Sequence, residues 1–476
     1  MSALWTLQAM RQAMHAEARG AMPHEIVGLS IDSRTIGKGE AYFAIKGDVH
    51  DGHSFVEAAI RNGASVAVVE QAQADKFASL PLLVVPDVLE GLRQLALASR
   101  ARLKAQIIAV TGSVGKTSTK EGLRCVLSAQ GETHASVASF NNHWGVPLSL
   151  ARCPADVLYA VFEIGMNHAG EIEPLVKMVR PHVAVITTVE PVHLEFFGSV
   201  EAIADAKAEI FAGVEPGGAA VLNLDNPQFA RLCDGAQSAG IKRFVTFGEH
   251  ASADARLLAV SLHAESSAVH ANVLGHDVTY KIGMPGRHMA MNSLAVLAAA
   301  SLVGADLAHS ALALSQMQAP VGRGMRARLG VAGGEVLLID ESYNANPASM
   351  RAAISVLGSA PIGALGRRIA ILGDMLELGP TGAELHTALA EYLRANAVDL
   401  VFCCGPLMRS LWEALPSNLR GGYAESSAAL EGDVATSIRA GDALMIKGSL
   451  GSKMKLIVEA LRRRFPAPGA LGDAAV

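Results

Sequence analysis

The stretch Ile108-Ala-Val-Thr-Gly-Ser-Val-Gly-Lys-Thr-Ser118 decides the fold class. An apolar strand runs into a glycine-rich turn, which is followed by Lys116, Thr117 and a helix. Backbone N–H groups of such a turn can wrap phosphates, and the positive end of the helix dipole adds to the attraction. In this arrangement Lys116 reaches the β- and γ-phosphates, and the Thr117 hydroxyl holds Mg²⁺. The stretch therefore predicts a phosphate loop on a parallel α/β sheet.

The glycine pattern of this loop departs from the common G-x-x-x-x-G-K-[ST] form, because Val110 stands where the first glycine is expected. Gly112 supplies the turn instead, and Gly115 allows the close backbone approach that a Cβ would block. Strand, turn and helix contexts agree, so a phosphate loop is still predicted. Its nucleotide-binding residues would be Thr111, Gly112, Ser113, Val114, Gly115, Lys116, Thr117 and Ser118.

Composition excludes several classes of protein. The 476 residues are half apolar and 18% charged, which predicts two to four folded domains and not a disordered chain. Lys plus Arg is 40 and Asp plus Glu is 45, so no basic excess favours a nucleic-acid partner. No uncharged apolar run reaches the ~20 residues of a membrane-spanning helix, and the N-terminus does not resemble a signal peptide. The five cysteines are widely spaced, which favours free thiols in the cytoplasm over disulfides or a zinc site.

Alternating strand-like and helical runs divide the chain into three blocks. Residues 1–86 mix short strands with short helices, whereas residues 87–320 alternate apolar strands with helices, as in βαβ units. Residues 253–283 predict an antiparallel flap on that central sheet. A Pro/Gly-rich stretch at 319–324 predicts a hinge, beyond which the alternation resumes over 321–466, before a flexible tail at 467–476.

Three ionisable residues in the central block are candidates for the same site. Glu163 follows an apolar strand, and the carboxyl ends of parallel strands face the ligand crevice, where a carboxylate can hold Mg²⁺. His193 follows the next strand after a short loop, although a lone loop histidine is more often structural or solvated. Lys207 lies in a helix predicted over 200–211, where a lysine would ordinarily be a surface residue.

Two polar loops complete the set of candidate motifs. One reads Phe140-Asn-Asn-His-Trp-Gly-Val-Pro-Leu148 and carries two adjacent amides. The other, Asp340-Glu-Ser-Tyr-Asn-Ala-Asn-Pro347, follows a strand and combines carboxylate, hydroxyl and amide groups. Helix N-capping ahead of the proline would account for Asn346 alone, but not for the whole loop.

Taken together, these motifs resemble those of the Mur ligases, ATP-dependent amide-bond ligases of peptidoglycan synthesis. The resemblance extends over nearly the whole chain and includes Asp32-Ser-Arg34, Asp51-Gly-His53 and Gly286-Arg-His-Met-Ala-Met-Asn292. It implies a UDP-binding domain over 1–86, a central ATPase domain over 87–320 and a Rossmann-like ligase domain over 321–466. It also implies ATP and two Mg²⁺ ions, and we expect a cytoplasmic monomer.

The resemblance also implies a role for each candidate residue. Lys116 and Thr117 would hold phosphate and Mg²⁺, and Glu163 and His193 would help to hold a second Mg²⁺. Lys207 would be carbamylated, so that a cation becomes a metal-bridging carboxylate. The remaining contacts would be Asn292 to adenine, Asp340 to ribose, Arg323 to the nucleotide phosphates, Asp32, Ser33 and Arg34 to the uridine diphosphate, Asn141 and Asn142 to the peptide, and Tyr343, Asn344 and Asn346 to substrate.

Three segments narrow the resemblance within the family. Asn141-Asn-His-Trp-Gly-Val-Pro147, Ser342-Tyr-Asn-Ala-Asn-Pro347 and Leu372-Gly-Asp-Met-Leu-Glu-Leu-Gly379 are similar to the ligase that joins D-alanyl-D-alanine to UDP-N-acetylmuramoyl-tripeptide. Three positions depart from the family pattern, of which Glu341, standing where aspartate is common, is the mildest change. Met289 replaces a frequent asparagine, so only Asn292 keeps an adenine role, and Leu450 replaces a frequent arginine.

Other functions stay open at the level of sequence. The ligase that adds the third stem residue usually carries Asp-Asn-Pro-Arg in its third domain, whereas the only Asp-Asn-Pro here is Asp225-Asn-Pro227, in the central block. Folylpolyglutamate synthase belongs to the same superfamily. A P-loop switch ATPase is a more distant alternative, but it would need neither Asp32-Ser-Arg34 nor the third α/β block.

Overall fold

The computed structural model describes residues 3–47, 50–137 and 139–467. The tail predicted at 467–476 lies outside these ranges apart from residue 467. Within the described residues, the strands form one two-stranded sheet and three larger sheets, and helices alternate with most of the strands. The predicted α/β class is confirmed. The bounds of the three blocks stay predictions. None of the helices in the described part of the chain combines the length and the hydropathy that a membrane span requires.

The first block contains a five-stranded sheet, parallel except at its first strand. Its strands, in spatial order, are Glu17–Arg19, Leu82–Val85, Val66–Glu70, Glu40–Phe43 and Gly28–Ser30. A small antiparallel pair joins Trp5–Thr6 to Glu25–Ile26. The helical segments are Leu7–Met14, Gly52–Phe55, Val56–Arg61 and Gln71–Phe77, followed by Val88–Arg102, which leads into the central block.

The central block is built on a nine-stranded sheet. Its strands, in spatial order, are His276–Ile282, Ser267–Val273, Ala255–Leu262, Arg243–Gly248, Ala219–Asn223, Val183–Ile186, Gln106–Thr111, Tyr159–Glu163 and Thr133–Ala135. The first three strands of this order pair antiparallel and the rest pair parallel, so the predicted antiparallel flap is confirmed as an extension of the sheet.

Helices cover both faces of the central sheet. They are Lys116–Ser128, Gly145–Ala151, Ile172–Val179, Leu194–Phe197, Val200–Ala208, Phe229–Ser238, Arg287–Leu302 and Leu307–Ala313, with short 3₁₀ turns at Glu209–Gly213 and Leu314–Gln316. Side chains of a strand alternate between the two faces. Accordingly, Ile107 and Ala109 pack into one apolar cluster, and Ile108 and Val110 into the other. The helix predicted over 200–211 ends at Ala208, and its last turn tightens into the 3₁₀ segment.

The third block is built on a six-stranded sheet, parallel except at its first strand. Its strands, in spatial order, are Met325–Val331, Gly334–Glu341, Ala443–Lys447, Arg368–Gly373, Leu400–Cys404 and Arg420–Ala424. Its helices are Pro347–Gly358, Gly382–Thr387, Leu389–Ala395, Met408–Ala414, Ser427–Ser437 and Lys455–Arg464, with 3₁₀ turns at Gly379–Thr381, Ser417–Leu419 and Leu450–Ser452. The carboxyl ends of the parallel strands carry the loops that form the site described next.

Candidate active site

The phosphate loop connects the strand Gln106–Thr111 to the helix Lys116–Ser128, as predicted. Gly112 adopts φ +147°, and a Cβ at this position would lie 1.9 Å from the Thr187 hydroxyl oxygen, so only glycine fits. Gly115 is the N-cap of the helix at φ +86°. The loop is held from outside by the Ser113 N–H, which donates to the Thr188 carbonyl at 2.8 Å. These constraints keep the backbone open toward the cavity.

Lys116 and Thr117 place a cation and a hydroxyl at the start of the helix. The Lys116 ammonium donates to the Gly112 carbonyl at 2.6 Å, and burial lowers its pKa, while Glu163 acts in the opposite direction. Thr117 Oγ1 donates to Glu163 Oε2 at 2.9 Å, and Asn141 Nδ2 donates to Oε1 at 2.8 Å. Both oxygens of a fully buried carboxylate are therefore engaged.

The oxygen donors in this cluster fit magnesium. Mg²⁺ prefers oxygen ligands, retains several waters, and is bound through one or two carboxylates together with substrate phosphates. Thr117 and Glu163 supply a hydroxyl and a carboxylate side by side. Among the described residues, no group of three or more His, Cys, Asp or Glu side chains forms a protein-only metal cage. The arrangement accordingly suits an ion that completes its shell with phosphate oxygens and water.

Lys207 is a buried lysine and not the surface residue that its helix alone would suggest. Its side chain is only 2% exposed, and burial, together with the nearby Lys116, lowers its pKa well below the ordinary value. The neutral amine is therefore more readily formed than in an exposed lysine. His193 lies close enough for both lysines to lower its pKa, although burial is the larger cause. Its Nδ1 is hydrogen-bonded to Glu377 of the third block.

A cavity of about 580 Å³ lies between the central and third blocks. Most of the predicted site residues line it. These are Ser113, Val114, Gly115, Lys116, Thr117, Ser118, Asn141, Asn142, Glu163, His193, Asn292, Arg323, Tyr343, Asn344 and Asn346. A continuous path thus runs from the phosphate loop to the polar loop of the third block.

The remaining predicted residues lie outside the lining of this cavity. Thr111, Gly112 and Lys207 are buried and do not line it. Asp340 is 2% exposed and accepts a hydrogen bond from the Ser342 hydroxyl at 2.6 Å, so its side chain is already engaged. Asp32, Ser33 and Arg34 follow a strand of the first sheet, and the Arg34 guanidinium pairs with Asp32 at 2.7 Å. The predicted ribose and uridine diphosphate contacts stay predictions.

Arg323, in the segment 319–324 predicted to be a hinge, contacts the central block. The Arg323 guanidinium lies 4.2 Å from the centre of the Tyr343 ring and donates to the Ser139 hydroxyl at 3.2 Å. On the opposite wall, Asn292 lies so close to the phosphate loop that a Cβ on Gly115 would be 3.0 Å from its Oδ1. Met289 is 2% exposed and packs in the apolar cluster of the central block. Its side chain packs in that core and also lines the cavity beside Asn292.

Sequence reasoning assigned no role to an ion pair in the third block. Lys447 Nζ lies 3.3 Å from Glu341 Oε2 and donates to the Asn344 carbonyl at 3.0 Å, and burial lowers the pKa of Lys447. Both residues line the cavity. A signal for the pair exists in the sequence, since each residue ends an apolar strand. The sheet order, which places the two strand ends in register, is a tertiary property.

Three protein-family models match this chain, one in each of its three blocks. The model of the Mur ligase family catalytic domain matches residues 25–100, that of the Mur ligase middle domain matches 110–300, and that of the Mur ligase glutamate ligase domain matches 327–450. The chain belongs to the Mur ligase family. This agrees with the resemblance inferred from the motifs.

Individual Mur ligases match over nearly the full chain. The UDP-N-acetylmuramoyl-tripeptide–D-alanyl-D-alanine ligase of Rickettsia prowazekii is 31% identical over 456 residues, which cover 96% of this chain and 99% of that protein. A crystal structure of MurF from Acinetobacter baumannii is 30% identical, with a TM-score of 0.82 and coverage of 96% and 99%. The MurF ligase of Thermotoga maritima in complex with ADP is 26% identical, with a TM-score of 0.74 and coverage of 92% and 98%.

Proposed function

We propose that this Mur ligase joins D-alanyl-D-alanine to UDP-N-acetylmuramoyl-tripeptide and converts ATP to ADP and phosphate. The product is the UDP-linked pentapeptide precursor of peptidoglycan. The observation that carries the proposal is the single cavity into which the phosphate loop, Glu163 and the loop from Tyr343 to Asn346 all open. Full-length relatives named for this activity support it over a third-residue ligase, folylpolyglutamate synthase or a switch ATPase.

The first step activates the carboxylate of the tripeptide, which is a poor electrophile. Its oxygen attacks the γ-phosphorus of ATP, and the bond between this phosphorus and the β,γ-bridging oxygen breaks. ADP is the leaving group, and the tripeptide becomes an acyl phosphate. Lys116, Arg323 and the N–H groups of the phosphate loop surround this negative charge in a partly buried site, where preorganised donors are most effective. Mg²⁺ held by Thr117 and Glu163 would neutralise phosphate charge and polarise the phosphoryl group.

The second step forms the amide bond. The free amine of D-alanyl-D-alanine attacks the acyl carbon and loses a proton, and the tetrahedral intermediate collapses with release of phosphate. Tyr343, Asn344 and Asn346 line the third-block wall of the cavity, where the dipeptide would enter. Water must be excluded, because it would hydrolyse the acyl phosphate. Closure of the third block about residues 319–324 would exclude it.

Carbamylation of Lys207 is a further part of the proposal. A neutral amine attacks CO₂, an N–C bond forms and a proton is released, so that the side chain becomes an anion. The burial of Lys207, and the neighbouring cation at Lys116, favour the neutral amine that this step requires. The resulting carboxylate would lie near His193 and supply a metal ligand that the unmodified lysine cannot.

The test is a reconstitution with ATP, Mg²⁺, D-alanyl-D-alanine and either of two UDP-tripeptides, with diaminopimelate or lysine as the third residue. Mass analysis should show the pentapeptide with at least one of them, and ADP release should require both the tripeptide and the dipeptide. ATP hydrolysis that needs neither substrate, or that DNA or a protein partner stimulates, would refute the proposal in favour of a switch ATPase. We also propose that the protein is a cytoplasmic monomer. Cell fractionation tests its location, and sedimentation of the purified chain tests its monomeric state.

A further inference from the structure

The loop that follows the strand Arg368–Gly373 is anchored inside the third block from two sides. The Asp374 carboxylate accepts the N–H of Met408 at 2.8 Å and that of Leu407 at 3.3 Å. The N–H of Leu376 donates to the Ser449 hydroxyl at 3.0 Å. These bonds hold the residues that precede Glu377 in a defined position.

At Glu377 the loop crosses to the central block. Its carboxylate is hydrogen-bonded to Nδ1 of His193, and its backbone carbonyl accepts the N–H of Glu195 at 3.4 Å. A Cβ built on Gly379 would lie 3.6 Å from the Glu195 Cα, so the end of the loop also packs on the central block. The contact is therefore a small interface with His193 at its centre.

Both partners of this contact have unusual backbone conformations. Glu377 adopts φ +62° and His193 adopts φ +56°, in the left-handed region that residues other than glycine rarely occupy. Such conformations persist where the surrounding structure holds them, and they concentrate at functional sites. Two of them that meet across a block boundary indicate that the direction of both side chains matters.

We propose that Glu377 is a positioning residue for His193. The metal-binding role of the histidine, on which this inference depends, belongs to the proposed function. The carboxylate accepts a hydrogen bond from Nδ1–H, which fixes the tautomer and leaves Nε2 with a free lone pair. Metal-binding histidines generally donate their other ring N–H to a carboxylate or carbonyl in this way. Here the orienting carboxylate belongs to a different block from the histidine. Docking of the third block therefore sets the geometry of a ligand in the central block.

Three variants separate the carboxylate from the shape of the loop. Glu377→Gly removes the side chain but accepts the left-handed backbone more readily than glutamate does, so the fold should be retained. Glu377→Gln keeps the size of the side chain and an oxygen that can accept a hydrogen bond from Nδ1–H. Glu384→Gln is the matched control, because Glu384 is an exposed glutamate on the next α-helix, Gly382–Thr387.

Two measurements report on His193 without relying on turnover. Nitrogen-15 NMR of the full chain labelled at histidine gives the ring tautomer, with the His193 signals assigned by their loss in His193→Gln. Electron paramagnetic resonance titration with Mn²⁺ in the presence of ADP gives metal affinity. Glu377→Gly should shift the His193 proton toward Nε2 and weaken Mn²⁺ binding by about 10- to 100-fold. Glu377→Gln should restore part of both, and Glu384→Gln should match the wild type.

An unchanged His193 tautomer in Glu377→Gly, with Mn²⁺ affinity within about twofold of the wild type, would overturn the positioning role. Ligation by the wild-type enzyme is measured alongside and tests the proposed function separately. If Glu377→Gly changes both spectroscopic readouts but the wild-type enzyme joins no dipeptide, the proposed function is refuted and the positioning role stands. If the wild-type enzyme ligates normally but Glu377→Gly changes neither spectroscopic readout, the proposed function stands and the positioning role is refuted.

Discussion

A single hydroxyl group connects the phosphate loop to the buried carboxylate, and its removal tests the geometry of the site directly. Thr117 Oγ1 donates to Glu163 Oε2 at 2.9 Å, and the two residues are 4% and 0% exposed. Thr117→Val replaces the hydroxyl with a methyl group of similar size, so it removes the hydrogen bond and the proposed metal oxygen without opening a cavity. Thr117→Ser keeps the hydroxyl and loses only a methyl group.

The expected magnitude follows from the partners of the carboxylate. A hydrogen bond to a charged group contributes about 1.5–3 kcal/mol. The bond orients Glu163 for the metal; where its full free energy is lost from the transition state, kcat/KM for ATP should fall by about 10- to 150-fold, at about 1.4 kcal/mol for each factor of ten. Asn141 still donates to the other carboxylate oxygen at 2.8 Å, so Glu163 keeps part of its orientation. Loss of the metal oxygen should add to this effect.

The assay is coupled ADP release at varied ATP with saturating tripeptide and dipeptide, together with a thermal melt of each variant. Thr117→Ser should stay close to the wild type in both measurements. Thr117→Val should melt as a folded protein and lose activity steeply, with a higher Mg²⁺ requirement. Equal activity in the two folded variants would show that the hydroxyl is not part of the working site, and the reasoning from the Thr117–Glu163 contact would be wrong.

Three further predictions concern residues on either side of this contact. Lys116→Ala should abolish ligation without changing the melting temperature, and near-normal turnover would contradict its phosphate role. Asn292→Ala should raise KM for ATP by the equivalent of about 0.5–1.5 kcal/mol. Met289→Ala removes packing from the apolar cluster, so it should lower the melting temperature and raise that KM less than Asn292→Ala does. Lys207→Ala should lose most activity, and short carboxylic acids should restore part of it. Because burial lowers the pKa of Lys207, its neutral amine persists to lower pH than that of an exposed lysine. A carbamate should form until the pH falls through that lowered pKa, which a pH–rate profile with and without CO₂ depletion would measure.

The α/β class, the phosphate loop and the antiparallel extension of the central sheet could all be predicted from the sequence. Each depends on local patterns, such as an apolar run, a glycine-rich turn and the helix that follows, and the physical causes lie within about a dozen residues. The strand-end rule also placed Glu163 at the carboxyl edge of the sheet, where it lines the cavity, because parallel strands bring their carboxyl ends together. Asn346 behaves as its sequence context indicates, since it caps the helix Pro347–Gly358 and also lines the cavity.

Only the tertiary structure decided which of these residues meet. A helix pattern cannot distinguish the buried Lys207 from a surface lysine, since its burial comes from elements distant in the chain. The same holds for Met289, which packs in the apolar cluster of the central block and also lines the cavity. The contact between His193 and Glu377 joins two blocks across 184 positions of sequence. Both residues have left-handed backbone conformations, which no local sequence pattern predicts. Sequence periodicity records which face of an element is apolar, whereas the order of strands and the docking of blocks depend on how all the faces pack at once. Short sequence motifs therefore indicated the candidate residues of this site, whereas long-range packing set the distances between them.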